Sequence, residues 1–385
     1  MSMLRFHGPE GQEDMPYLLT PGPLTTSRTV KLALLADWGS RDVEFRKLVK
    51  EIRLELLQLA GCDDTYECVL MQGSGTFAIE AALGAFCPDK RKKTLVVANG
   101  AYGERAAQIL TKINRPHERI SKTDTTQLAP EHIIPTLQDD KNISHVWLIH
   151  CETTSGIVNP IADLARAAKT RGCIFMVDAM SSFGALDINM VRDEIDVLVS
   201  SSNKCIEGIP GFSYVLVRKN LLLLSQGHSH SVVLDLYDQW IGLEASGQFR
   251  FTPPTHALVA FRQALRELDE EGGTAARYKR YARNAEVLLK GMAELGIKPL
   301  LSGNESGPII QTFLTPRDSN FKFEIFYERL RQRGFAIYPG KLTQRDSFRI
   351  GTIGHLNEAV MTRAVAAIKN VLHEMNVKDF MPRDL

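Results

Sequence analysis

Five short runs of apolar residues recur through the first half of the chain, each ending on polar residues. They are YECVLMQ (Tyr66–Gln72), TLVVAN (Thr94–Asn99), HVWLIH (His145–His150), CIFMVD (Cys173–Asp178) and IDVLVSSSNK (Ile195–Lys204). Continuous apolar runs bounded by turn signals predict strands buried on both faces of a parallel sheet. Between them lie helical patterns: FAIEAALGAF, Glu104–Leu110 and Ile161–Arg171. Buried strand, polar strand end and helix, repeated from residue 66 to 204, predict a doubly wound α/β domain. An amphipathic helix is expected over Val43–Leu59 and a polar loop over Pro116–Pro130. An antiparallel strand is expected over Pro210–Lys219 and irregular chain over Leu221–Gly247. After the proline turn Phe249–His256, helices at Ala257–Glu271 and Ala275–Leu295 precede strands near Pro308–Leu314, Phe335–Pro339 and Phe348–Gly351. Further helices at Phe323–Gln332 and Asn357–Met375 complete a small α+β domain. The expected division is a loose start (1–16), a large α/β domain (17–254) and a small C-terminal domain (255–385).

The polar strand ends carry the chemistry. In open parallel sheets, ligands gather at the carboxyl ends of the strands, where Asp178 and Lys204 both fall. A desolvated lysine amine can form a Schiff base with pyridoxal phosphate, and an aspartate can keep the pyridine nitrogen protonated. The same two residues also suit a helix cap and a lysine reaching out to water. Gly73-Ser74-Gly75-Thr76, between a strand and a helix, suits a phosphate at a helix N-terminus or a plain tight turn. Tyr102 at a strand end suits stacking on a flat ring or packing in the core. Thr153, in the CETTSG segment, suits a bond to a ring substituent or ordinary turn capping. The rigid Pro21-Gly22-Pro23 suits a site wall or a surface crossing. Arg349, inside the strand FRIG, suits a substrate carboxylate or an internal acid. His228 and His230 lack the carboxylate or cysteine company of a metal site, and no metal is expected.

Composition narrows the class. The 385 residues are 44% hydrophobic and 24% charged, with a formal net charge of +1. That balance offers no electrostatic footprint for nucleic acid or a membrane surface. Six scattered cysteines form no CxxC pair, which favours reduced thiols in a cytoplasmic protein. The N-terminus lacks a signal-peptide core, and no apolar run approaches the about twenty residues that span a bilayer.

The chain resembles the fold-type-I pyridoxal-phosphate (PLP) enzymes of the class V aminotransferase group. The resemblance is carried, in order from residue 18 to 354, by LLTPGPLTTSRTV, LMQGSGTFAIEAALG, NGAYGER, CETTSGIVNPI, FMVDAMSSFGA, SSNKCIEGIPGF, LDLYDQW, RFTPPTH, IYPGK and SFRIGTIG. It implies pyridoxal 5'-phosphate as cofactor, Lys204 as its covalent anchor and proton shuttle, and Asp178 on its ring nitrogen. It further implies Tyr102 stacked on the ring, Ser74, Gly75 and Thr76 around the phosphate, and Thr153 near the phenolic oxygen. Thr252 would reach the phosphate from a neighbouring subunit, so a homodimer with shared active sites is implied. Arg349 would clamp the carboxylate of pyruvate. Transamination from 2-aminoethylphosphonate to pyruvate, in phosphonate degradation, is the implied activity; the alternative is an alanine–glyoxylate or serine–pyruvate type. Help for Arg349 in holding the phosphonate is expected from the GHSHS segment, Arg41 or Arg250.

Overall fold

The computed structural model describes residues 8–9, 15–87, 90–342 and 345–383. Most of the expected loose start, 1–16, lies outside the described residues. Seven strands form the central sheet: β1 (Tyr66–Gln72), β2 (Lys93–Ala98), β3 (His117–Ser121), β4 (Ile143–Ile149), β5 (Ile174–Asp178), β6 (Val197–Ser201) and β7 (Phe212–Arg218). Their spatial order is β1-β7-β6-β5-β4-β2-β3. Only β7 runs antiparallel to its neighbours, so the sheet is mainly parallel, as the apolar runs predict. Helices cover both faces and exclude water from the valine- and isoleucine-rich strands. In register, Asp178 pairs with Ile149 of β4 and Val199 of β6. This alignment brings the loops after β4, β5 and β6 to one edge.

Two stretches differ from the sequence expectation. The polar loop after Pro116 contains β3, the edge strand paired in parallel with β2. HERIS has no apolar run because an edge strand needs no second buried flank. Leu221–Gly247 is not irregular: helices span Lys219–Leu224 and Leu236–Ser246. The second is capped by the Asp235 carboxylate, which accepts from Asp238 N, and ends at Gly247 with φ 70°.

The large core holds both flanks of this sheet, including Trp147, Phe175 and Val199. Helix α1 (Gly75–Phe86) and helix α2 (Ala101–Lys112) follow β1 and β2. Helix α3 (Thr255–Glu271) lies beyond the expected boundary at residue 254, yet its Leu258, Phe261 and Leu265 belong to the large core. Helix α4 (Gly273–Glu294) turns into a second core with Leu288 and Met292. That core backs a three-stranded antiparallel sheet of β8 (Ile310–Leu314), β9 (Tyr338–Pro339) and β10 (Ser347–Gly351), in the order β8-β10-β9. The chain start joins it: Tyr17–Leu18 pairs in parallel with Phe335–Ala336, and Leu19 is buried in the second core. A small third cluster, including Leu24, Cys205, Tyr281 and Ile353, lies between the two. All six cysteines are free. Among the described residues no helix is long and apolar enough to cross a membrane, and no cluster suits a metal.

Candidate active site

At the carboxyl edge of the sheet a cavity of about 390 Å³ is lined by Ser74, Gly75, Thr76, Tyr102, Thr153, Asp178 and Lys204. Seven residues separated by as many as 130 positions thus meet at one place. The turn from β1 into α1 begins at Gly73, φ 100°, a backbone state that suits glycine. Ser74 occupies the N-cap of α1, but its hydroxyl makes no capping bond. The free N–H groups of the first turn, with the hydroxyls of Ser74 and Thr76, therefore open onto the cavity as an anion cradle.

Asp178 ends β5, is 2% exposed, and accepts one hydrogen bond from Met180 N at 2.8 Å. Burial pushes its carboxyl up to about 7, and nearby Glu152 adds to this, against the Met180 N–H and the Lys204 cation. Lys204 follows β6 and donates from Nζ to Pro21 O (2.9 Å) and Gly22 O (3.3 Å). Burial pulls its pKa below the usual lysine value, against the opposing pull of Tyr102, Cys205 and Asp178. The proline-rich segment is therefore a wall of the site, with Gly22 and Pro23 among the lining residues. Gly22 has φ 116°, and a Cβ there would stand 2.6 Å from Asn203 O and 2.9 Å from Lys204 Nζ.

The turn after Lys204 is locked from behind. Glu207 N donates to Lys204 O at 2.8 Å, and Glu207 holds φ 66°, an uncommon state for a residue with a side chain. Its buried carboxylate accepts from Arg280 Nη2 (2.8 Å) and Tyr281 OH (2.5 Å), both on α4. Arg277 Nη1 donates to Cys205 O at 2.6 Å, and Arg280 Nη1 donates to Gly354 O at 2.6 Å. A network of buried charge thus ties the lysine turn to α4 and to the chain just beyond β10.

Glu152 is a residue the sequence reading missed. It is fully buried, and its Oε2 accepts from Tyr102 N (3.1 Å) and Gly103 N (3.4 Å) at the start of α2. Its Oε1 accepts from Thr154 N (3.3 Å) and Thr154 Oγ1 (2.8 Å). The carboxylate caps α2 from a loop fifty residues away and fixes the backbone of Tyr102. A Cβ on Gly100 would stand 2.3 Å from Glu152 Cγ, so glycine makes room for this cap. Only long-range folding brings the acid the N–H groups of Tyr102 and Gly103; CETTSG by itself signals a turn.

Arg349 is buried beside the cavity rather than in its lining. Nε donates to Pro339 O (3.0 Å) and Nη1 to Thr153 O (2.9 Å). Among the described residues no carboxylate lies within ion-pair distance of it, so the internal-acid alternative is unmet. Thr252 is exposed and outside the lining; its carbonyl, at 3.3 Å, accepts from Gln72 Nε2. None of the expected phosphonate helpers lines the cavity. Arg250 pairs with Asp238 (3.1 Å) and His230 with Glu80 (3.1 Å), while Arg41 is exposed and outside the cavity lining. Two further cations meet the Tyr102 ring: the Arg105 guanidinium carbon at 4.9 Å and Lys341 Nζ at 4.6 Å from its centroid.

Comparison with known proteins identifies the chain's relatives. The family model of class-V aminotransferases matches residues 37–320. A 2-aminoethylphosphonate–pyruvate transaminase of Rhizobium meliloti (strain 1021) is 49% identical over 95% of this chain and 96% of its own. One of the same name from Pseudomonas aeruginosa (strain PAO1) is 46% identical over 95% and 98%. Among solved structures, a ureidoglycine–glyoxylate aminotransferase from Bacillus subtilis superposes with a TM-score of 0.86 at 20% identity. That match covers 95% of each chain and shows likeness of fold. With the family model spanning most of the chain and relatives near half identity along its length, the chain belongs to the class-V aminotransferase family.

Proposed function

We propose that this enzyme transfers the amino group of 2-aminoethylphosphonate to pyruvate, giving phosphonoacetaldehyde and L-alanine, with PLP as its cofactor. The observation that carries the transaminase reading is the convergence of Lys204, Asp178, Tyr102, Thr153 and the Ser74–Thr76 turn on one cavity. The substrates are those in the names of relatives up to 49% identical along the chain.

The residues present fit PLP. The uncapped N-terminus of α1 offers N–H and hydroxyl donors to a phosphate. Among the described residues, the buried Asp178 carboxyl has one N–H donor and no cation at bonding distance, an arrangement completed by a protonated ring nitrogen. Bound there, PLP supplies an aldehyde carbon for the donor's amine and a ring that accepts the electron pair released at the substrate carbon. Lys204, with its depressed pKa, keeps a larger neutral fraction than a free lysine and so can take a proton from that carbon and return it. Pro21 O and Gly22 O aim its Nζ. Arg349, with N–H groups left over from Pro339 O and Thr153 O, holds the substrate anion.

The reading includes a homodimer in which the partner subunit's Thr252 completes the phosphate site. Exposed Phe77, Val232, Val233 and Phe251 support an apolar contact on that side. A cytoplasmic location accords with the six unpaired cysteines. We read the chain as a large cofactor-binding part, its core running through Leu268, and a smaller carboxyl-terminal part.

The test is alanine formation from pyruvate by PLP-loaded protein, with 2-aminoethylphosphonate, serine and glycine compared as donors. Preference for the phosphonate with ping-pong kinetics is expected, as is loss of turnover in Lys204→Ala. If serine or glycine were preferred, the substrate assignment would fall while the cofactor assignment stood.

A further inference from the structure

We infer that Lys341 is a specificity-determining residue, holding the phosphonate of the amine donor together with Arg349 and distinguishing it from the carboxylate of the acceptor. The inference rests on the donor proposed above and assigns the group that recognises it.

The two substrates use one site in turn but differ in charge and shape. The acceptor carboxylate is planar with one negative charge, and the planar fork of Arg349 matches it. A phosphonate is tetrahedral, with three oxygens and up to two charges. A fork satisfies two of those oxygens and leaves the third out of its plane. That oxygen calls for a second cation that is not coplanar with the arginine. A lysine ammonium, a point charge on a flexible stem, has the right form.

Lys341 has the right position. Its Nζ lies 4.6 Å from the centroid of the Tyr102 ring, and the Tyr102 hydroxyl faces the Arg349 guanidinium and the Thr153 side chain. Both cations therefore meet one phenol that lines the cavity, each from just outside the lining. The same short strand places them: β9 gives Pro339 O to Arg349 Nε and leads two residues later into Lys341. Lys341 is exposed, and among the described residues no carboxylate lies within ion-pair distance of its Nζ, so its charge is available. Other basic side chains lie elsewhere. Arg250 and His230 are held by Asp238 and Glu80, and Arg105 sits near the Asp178 end of the cavity, where its charge acts on that carboxyl. With a carboxylate bound, Lys341 can rest on the Tyr102 ring; with a phosphonate it has a third oxygen to meet.

The experiment compares Lys341→Met with the parent in PLP-loaded full-length protein, following each half-reaction separately. Above the second ionisation of the phosphonate, kcat/KM for 2-aminoethylphosphonate is expected to fall about 10- to 100-fold, the weight of one charge-assisted hydrogen bond. The value for pyruvate is expected to change less than about threefold, and Lys341→Arg should recover most of the donor's rate. Calorimetric binding of ethylphosphonate and propionate, both unreactive, gives a readout apart from turnover: the substitution should erase most of the preference for the phosphonate. Equal losses toward both substrates would mean that Lys341 only packs on Tyr102, and no loss toward the donor would also overturn the inference. If the parent fails to use 2-aminoethylphosphonate, the proposed function fails, and the ethylphosphonate–propionate comparison still decides the role of Lys341.

Discussion

Replacing Asp178 by asparagine should stabilise the cofactor-free protein above neutral pH while removing catalysis. The carboxyl lies buried with a pKa pushed up to about 7, chiefly by burial. In the unfolded chain an aspartate titrates near 3.9. The sign follows from proton binding. Between these two values the folded state holds the proton more tightly, so stability is lost as pH rises through the interval. Below about pH 4 both states are protonated and the group costs nothing. Above about pH 8 both are ionised, and a shift of about three units at 1.36 kcal/mol each gives a cost of about 4 kcal/mol. At about pH 5 the same relation leaves roughly 1–2 kcal/mol. Asparagine keeps an oxygen to accept from Met180 N and carries no charge to bury. Urea unfolding of cofactor-free parent and Asp178→Asn at about pH 5 and 8 measures the difference directly, since all other titrating groups cancel between them. The variant should be the more stable at both, with the gap wider by roughly 2–3 kcal/mol at the higher pH. A gap independent of pH would refute the account of a carboxyl held uncompensated in the site. Added PLP should stabilise the parent more than the variant, because a protonated ring nitrogen gives the carboxylate its partner.

Two further predictions test the walls of the site. Gly22→Ala puts a Cβ 2.6 Å from Asn203 O at a φ of 116°, displacing Lys204; turnover should fall at least about 100-fold with circular dichroism unchanged. Glu207→Ala strands Arg277 and Arg280 beside a buried void, and urea unfolding should show a loss of about 3–5 kcal/mol; a loss below about 1 kcal/mol would mean that Glu271 alone neutralises both arginines.

The strands of the central sheet were legible because burial on both faces leaves a continuous apolar run, as in VLVSS of β6. That Asp178 and Lys204 meet in one cavity was legible because both stand at the carboxyl ends of neighbouring parallel strands. The edge strand β3 was hidden because its exposed flanks erase the apolar signal. Glu152 was hidden for another reason: its four donors come from α2 and from its own turn, and a carboxylate in CETTSG looks the same whether it faces water or a helix end. The partners of Arg250 and His230 were hidden likewise, since Asp238 and Glu80 become their neighbours only after folding. Sequence spacing reports burial along one segment; it does not report which charges have already been matched across segments.

The buried charges behind Lys204 also bear on how genes of this family can be recombined. Glu207 travels with the amino-terminal half of the chain, whereas Glu271, Arg277, Arg280 and Tyr281 travel with the other. A crossover between residues 208 and 270 would divide the set. The resulting chimera would stay soundly folded only when the incoming half brings its own pair of arginines to the same acid, so substrate-swapping libraries built at that junction should yield survivors filtered by charge before any filtering by substrate.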